Sequence, residues 1–353
     1  MKMPKNYFFK NKVNITIFII TLAGTFVILE IGLRLLYGNN FFFLWPQVQH
    51  VRTEYGYKLK PNQRDVYTLD KRVYTNSFGF RDGEWKQPKG SGVIRIMCLG
   101  DSLTFGNAVR VEETYPKVLE KKLRTQFGDC EVITAAVGGW SLYDEYNFLA
   151  AEGYKYQPDI IVLGFYINDF FAKSSFSPQI ILTEDLRLEG RPEWLRWLPY
   201  RVIFLLKRSA LLTFLRDRVA AIVNRDEDIP TLLLKNKIDL EHDPNIQDVY
   251  ATLLEMRDYC AERNIRLIVA SIPPVNLFWF PKDSVAYIKH FQSFCESNNL
   301  EFIDLSKGFW DVKDTDRLYM YPWDGHLSPE GHVTAAGQLV PVLVKHLKKN
   351  GGN

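Results

Sequence analysis

Excess charge of one sign is what this chain has least of. Its 44 basic and 41 acidic residues leave a net +3. Four of the positives, Lys2, Lys5, Lys10 and Lys12, lie in the first twelve residues, which hold no acid, so the remainder carries −1. Such a balance is not the footprint of a nucleic-acid binder. Cysteine is scarce as well. Cys98, Cys130, Cys260 and Cys295 are too few for a disulfide scaffold, and their spacing is not that of a metal site. Cys260 and Cys295 occupy matching places in two similar segments that each close a helix, where an oxidising compartment permits a bridge but does not require one. There is no Gly-x-Ser-x-Gly elbow, no P-loop and no dinucleotide fingerprint, which removes three common α/β chemistries. What the chain does have is core material: 46% hydrophobic and 14% aromatic residues exclude wholesale disorder.

The first apolar run has a meaning of its own. Val13 to Leu29 is seventeen residues without a charge, and Ile31, Leu33, Leu35 and Leu36 extend it past Glu30. Spanning hydrocarbon takes about 20 residues, which this segment reaches if Glu30 and Arg34, spaced to pair on a helix, sit at the far interface. The lysines ahead of it belong on the cytoplasmic side. No small-residue cleavage site follows, so the segment reads as an uncleaved signal anchor. The expected organisation is a basic cytoplasmic tail over 1–12, a transmembrane anchor over 13–37 and, over 38–92, an aromatic, turn-rich neck and an arm packing on the main domain. A main domain over 93–349 follows and lies outside the cytoplasm.

Within that domain the pattern alternates. Strands are expected at Val93–Leu99, Glu131–Val137, Ile160–Phe165, Ile265–Ile272 and Glu301–Leu305. Helices are expected at Tyr115–Phe127, Tyr143–Tyr154, Asp248–Arg263, Asp283–Ser297 and Pro329–Lys349. Strands that are apolar throughout and alternate with helices indicate a parallel sheet covered on both faces. Residues 170–245 interrupt the alternation with basic, apolar helical stretches. They read either as an inserted helical pair packed on the sheet or as a lid or membrane-lying helix.

The carboxyl ends of the strands carry the polar residues. From Ile94 an apolar run rich in β-formers stops at Gly100, and Gly100-Asp101-Ser102-Leu103 places Ser102 where open α/β sheets bind ligands. The second strand ends in Gly138-Gly139-Trp140 and the third in Asn168-Asp169. The last leads into Trp323-Asp324-Gly325-His326. A serine nucleophile needs a base, an orienter for that base and donors for an oxyanion. One candidate for each reaches a single edge of the sheet.

In those blocks, in that order, the chain resembles the SGNH/GDSL hydrolase superfamily over about residues 93–345. The Asn76-Ser-Phe-Gly-Phe-Arg81 arm and the anchor resemble its membrane-anchored branch. The resemblance implies a flavodoxin-like three-layer α/β/α sandwich with a mostly parallel sheet. It implies Ser102 as nucleophile, His326 as base and Asp324 as its orienter. The Ser102 and Gly139 amides and the Asn168 side chain would form the oxyanion hole. No metal or cofactor is called for. Three positions depart from the family pattern. Tyr166 stands where glycine is usual in the third block, and Thr134 where asparagine often begins the second. Trp323 occupies the usual acid position of the last block, leaving Asp324, two residues before His326, as the local acid. Asp101 and Asp169 read as hydrogen-bond anchors and His332 as a surface or packing residue. Arg81 reads as an arm-to-domain salt bridge or as a contact to an anionic substrate.

The activity this implies is a serine esterase removing small acyl groups, acetyl above all, from an extracytoplasmic glycan or other surface ester. Its location would be the cytoplasmic membrane, with the bilayer as a second partner through residues 13–37 and no nucleic acid. An O-acyltransferase passing the acyl group to a sugar hydroxyl needs the same residues. A non-catalytic glycan-binding or assembly protein with a degenerate site is the alternative of another class.

Overall fold

The computed structural model describes residues 5–37, 48–68, 71–171, 202, 209–212, 214–215, 229–282, 284–321 and 324–350. Helix α1, Lys5–Tyr37, contains a 23-residue apolar stretch from Asn14 to Leu36 that is long enough to cross a bilayer, and its large side chains are exposed. Glu30 and Arg34 pair along it, as their spacing predicts. Glu30 also accepts hydrogen bonds from Ser209 Oγ and from the amides of Ala210 and Leu211. Most of the insertion expected at 170–245 lies outside the described residues.

The arm is built from two hairpins, β1 (His50–Thr53) with β2 (Gly56–Leu59) and β3 (Val66–Thr68) with β4 (Lys71–Val73). Its apolar side chains enter the main core. Phe80 is fully buried and stacks on Trp85, with Trp140 and Phe148 edge-on to it.

Five parallel strands form the main sheet: β5 (Ile94–Gly100), β6 (Cys130–Ala136), β7 (Ile160–Phe165), β8 (Arg266–Ser271) and β9 (Glu301–Asp304). Their spatial order is β6-β5-β7-β8-β9, the flavodoxin-like order 2-1-3-4-5. Alternate residues of one strand serve opposite cores. Met97 and Leu99 point into a layer with α4 (Leu142–Ala151), α6 (Pro244–Glu262, after α5, Ile229–Leu234) and α7 (Ala286–Ser297). Ile96 and Cys98 point into the other, with α3 (Tyr115–Phe127) and the closing helix α9 (Pro329–Asn350, after α8, Ser306–Trp310). The expected parallel sheet covered on both faces is therefore the observed one.

Boundary differences have local causes. The second domain helix stops at Ala151, and a tighter turn, Gly153–Tyr156, replaces its last residues. Helix α6 starts four residues earlier than expected, because Asp243 caps the amides of Asn245 and Ile246 with Pro244 in the first turn. Helix α7 starts later, at Ala286. Cys98, Cys130, Cys260 and Cys295 are free and buried, so the bridge considered for Cys260 and Cys295 is absent. Burial pushes the Cys260 and Cys295 thiols up to about 12, which keeps them as unreactive core residues.

Candidate active site

Strand order places the switch point between β5 and β7, and Ser102 sits there as the first residue of the short helix α2 (Ser102–Phe105). The turn is tight because Thr104 is wedged between the two strand ends. A side chain at Gly100 or Gly164 would meet its Oγ1 at 2.2 or 2.3 Å. Asp101 is fully buried and caps the helix, accepting from Leu103 N at 2.8 Å and from the Asn168 side-chain amide at 3.1 Å. The first N–H of a helix has no intrahelical acceptor, so the Ser102 amide is available beside its own Oγ.

His326 reaches the serine from the far side. Its Nε2 lies 2.7 Å from Ser102 Oγ, while its Nδ1 is hydrogen-bonded to Asp324 Oδ1. An acid two residues before the histidine can do this because the loop is pinched. Tyr319 bridges Leu327, Met320 N donates to His326 O, and Asp324 N donates to Met320 O. Tyr319 Oη then ties the loop to Pro273 O beyond β8, at 2.7 Å. The same Asp324 oxygen also accepts the His326 backbone N–H at 2.9 Å. Trp323 lies outside the described residues.

The electrostatics suit a base. Burial pulls the His326 imidazole down, but the bonded Asp324 carboxylate, with a smaller contribution from Asp101, lifts it above the usual histidine value. Asp324 is lowered in turn: burial raises it, and the His326 hydrogen bonds and charge outweigh that. A neutral imidazole with Nδ1–H held by a carboxylate leaves Nε2 free to take the serine proton.

The remaining sequence-predicted residues are placed as follows. Gly138-Gly139 follows β6, and Gly139 has φ +87°, a conformation that favours glycine. Gly138 faces Ser102, whose Cβ would lie 3.8 Å from an added side chain there. Asn168, half-buried, spends one N–H on Asp101 and keeps another. Asp169 is a buried anchor, accepting from Tyr166 N at 2.8 Å. His332 is buried, not on the surface. Burial, then the charges of Arg81 and His326, drive it down to about 3, and as a neutral ring it accepts from Tyr115 N at the start of α3.

Arg81 requires a correction. It is fully buried, with Nη1 donating to Phe105 O and Gly106 O and Nη2 to Val109 O. Among the described residues no carboxylate pairs with it, and at 1% exposure it is closed to substrate. It is a clamp on the loop that follows the nucleophile helix.

Two residues of the site were not singled out from the sequence. Asn107 lies with Nδ2 3.3 Å from His326 Nε2, and its Oδ1 accepts from Thr68 Oγ1 of the arm at 2.7 Å. A polar residue after Gly106 looks like an ordinary turn former, and only the arm's approach reveals more. Glu145, in the first turn of α4, is fully buried with neither carboxyl oxygen hydrogen-bonded, and Asp169 Oδ1 is likewise unpartnered. Burial, then the charges of Asp169, Asp101 and Asp144, holds Glu145 well above the usual carboxylate range. Among the described residues no cluster of three or more His, Cys, Asp or Glu is arranged to hold a metal ion.

Comparison with known proteins gives one family and a set of folds. No curated protein matches the chain. Similar solved structures include TesA, 13% identical over 70% of this chain and 97% of that one, with a TM-score of 0.43. The acetyl xylan esterase AlAXEase is 17% identical over 71% and 100%, with a TM-score of 0.41. The lipase/acylhydrolase from Enterococcus faecalis is 17% identical over 72% and 97%, also at 0.41. The model of the GDSL-like lipase/acylhydrolase family matches residues 98–333, a span that opens just before Ser102 and closes just after His326. By that match the chain belongs to the GDSL-like lipase/acylhydrolase family, and it is a carboxylic ester hydrolase.

Proposed function

We propose that the chain is a serine esterase working through Ser102, His326 and Asp324. The observation that carries this is the unbroken line from Asp324 through His326 to Ser102 Oγ, 2.7 Å from Nε2, at the switch point of the sheet. Ser102 Oγ attacks the acyl carbon as its proton passes to His326 Nε2. The carbonyl oxygen takes the electron pair and is met by the Ser102 and Gly139 amides and the Asn168 amide. His326 then protonates the leaving alcohol oxygen as the C–O bond breaks. Water, deprotonated by the same imidazole, cleaves the acyl-enzyme and restores Ser102.

The substrate class we favour is a small acyl ester, acetyl above all, on an extracytoplasmic glycan or comparable surface compound. What supports the location is the apolar helix over 14–36 with lysines ahead of it, which suits a single-pass anchor in the cytoplasmic membrane with the domain outside. Retention of the full chain in membranes through an alkaline carbonate wash is expected; release would remove the anchor from the account.

The test of the chemistry is hydrolysis of a chromogenic acetate ester by the full chain in detergent, beside Ser102→Ala and Asp324→Ala. Turnover is expected in the parent, to be lost in Ser102→Ala and to fall by orders of magnitude in Asp324→Ala. Parent turnover undiminished in Ser102→Ala would contradict the reading. Acyl transfer to an added sugar with no release to water would reassign the acceptor.

A further inference from the structure

We propose that Asn107 is a further catalytic residue, its side-chain amide donating to the oxyanion, and that the arm is the element that holds it there. The proposal rests on the serine-esterase reading above.

Three observations place it. The amide nitrogen is 3.3 Å from His326 Nε2, the atom that takes the serine proton. It also lies on the flank of Ser102 that faces the glycine loop, since a side chain built on Gly138 would meet Asn107 Nδ2 at 4.0 Å and Ser102 Cβ at 3.8 Å. Asn168 follows β7, across β5 from the glycine loop that follows β6, and has one N–H already committed to Asp101. The oxyanion site is thus bracketed by two asparagine amides, of which only Asn168 belongs to the family pattern that the sequence suggested.

The loop carrying Asn107 is built to hold one conformation. Gly106 has φ +78° and Ala108 φ +66°, so Asn107 sits between two left-handed residues. Arg81 fixes the loop from beneath by bonding the carbonyls of Phe105, Gly106 and Val109. Thr68 in β3 donates its hydroxyl to Asn107 Oδ1 at 2.7 Å, which turns the NH2 group toward His326. Both of these side-chain tethers come from the arm, and the Asn107 and Gly106 amides add bonds to Ser102 O.

A role follows from the chemistry. In the resting site Nε2 accepts from Ser102 Oγ–H, and one Asn107 N–H, 3.3 Å away, shares that lone pair. When the Ser102 proton moves to Nε2, that nitrogen becomes a donor and no longer attracts the amide. At the same moment the carbonyl oxygen gains its negative charge nearby, and the amide N–H turns to it. The bond is made in the transition state and not in the bound ester, the condition for raising kcat without tightening substrate binding.

The experiment compares full-length parent, Ser102→Ala, Asn107→Ala, Asn107→Asp, Thr68→Val and Thr68→Ser on the chromogenic acetate, with thermal unfolding of each. Asn107→Ala is expected to lose about 10²-fold in kcat with KM little changed, the scale of one oxyanion donor. Asn107→Asp is expected to lose at least as much and to move the pH inflection of kcat/KM upward, because it removes the N–H and sets a carboxylate beside His326. Thr68→Val leaves Asn107 in place but untethered and should lose part of kcat, which Thr68→Ser restores. An Asn107→Ala enzyme within twofold of the parent would overturn the proposal, as would an Asn107→Asp enzyme of full activity. Should the Asn107 variants not fold, Thr68→Val with unchanged kcat overturns the arm's role. Ser102→Ala without loss would instead bring down the underlying esterase reading.

Discussion

At the scale of single residues, the site divides into what a linear motif can announce and what only a fold can. Ser102, Asp324 and His326 stand in blocks whose residue types match an acyl-transfer mechanism, so their roles could be read off as expectations. Asn107, Glu145 and Arg81 could not. Their types are common in turns, helix first turns and surfaces, and their meaning comes from partners tens of residues away: Thr68 for Asn107, the carbonyls of 105–109 for Arg81. Two predictions belong here. The kcat/KM of the parent should rise with pH through an inflection above the usual histidine value, because Asp324 raises His326 and only the neutral imidazole accepts the serine proton. In Asp324→Asn that lift is gone and burial dominates, so a pH–rate profile should show the inflection moving down and the plateau falling by about 10²-fold or more. The second concerns Glu145, held neutral by burial. A carboxyl whose folded pKa is raised gives its full stability below the ordinary carboxylate range and loses it as pH rises toward the folded value. Glu145→Gln removes that loss. Thermal melts should show the variant gaining on the parent as pH rises above the ordinary carboxylate range, and parallel curves would refute the raised carboxyl.

Elements come next. The strands were legible because burial on both faces makes them apolar throughout, and β5, β7 and β8 sit within a residue of their expected ends. Helix ends were less so, since caps such as Asp243 act through one side chain that the periodicity does not register. The turn into α2 shows how element geometry sets chemistry. Thr104, two residues after the nucleophile, occupies the space that glycines leave at the ends of β5 and β7, and its hydroxyl is 3.0 Å from Tyr115 Oη. A methyl group at Gly164 would stand 2.3 Å from Thr104 Oγ1 and 2.8 Å from Tyr115 Oη. Gly164→Ala should therefore cost about 1–3 kcal/mol in urea unfolding and shift Ser102 off His326. The expected readout is a slower reaction of Ser102 with a serine-directed phosphonate, even where the variant remains folded. Unchanged stability and labelling would show the turn to be less crowded than described.

For the molecule as a whole, the arm is the part whose importance the sequence understated. Its short extended pieces read as a packing appendage, yet Phe80 and Trp85 share one core with Trp140, Phe148 and the sheet. Trp140, the residue after the second-block glycines, donates its indole N–H to Tyr57 O of β2. The arm and the sheet should consequently melt together. Phe80→Ala is expected to cost about 3–5 kcal/mol and to leave a single calorimetric transition; a separate, earlier transition with hydrolysis preserved would show the arm to be dispensable. The central claim is that one serine, activated by one imidazole, carries the chemistry. It is tested most directly by treating the full chain with a fluorophosphonate above the His326 inflection and mapping the adduct by mass spectrometry. The account predicts a single adduct on Ser102, absent in Ser102→Ala and formed orders of magnitude more slowly in His326→Ala. No adduct in the parent, or one that persists in Ser102→Ala, would contradict it.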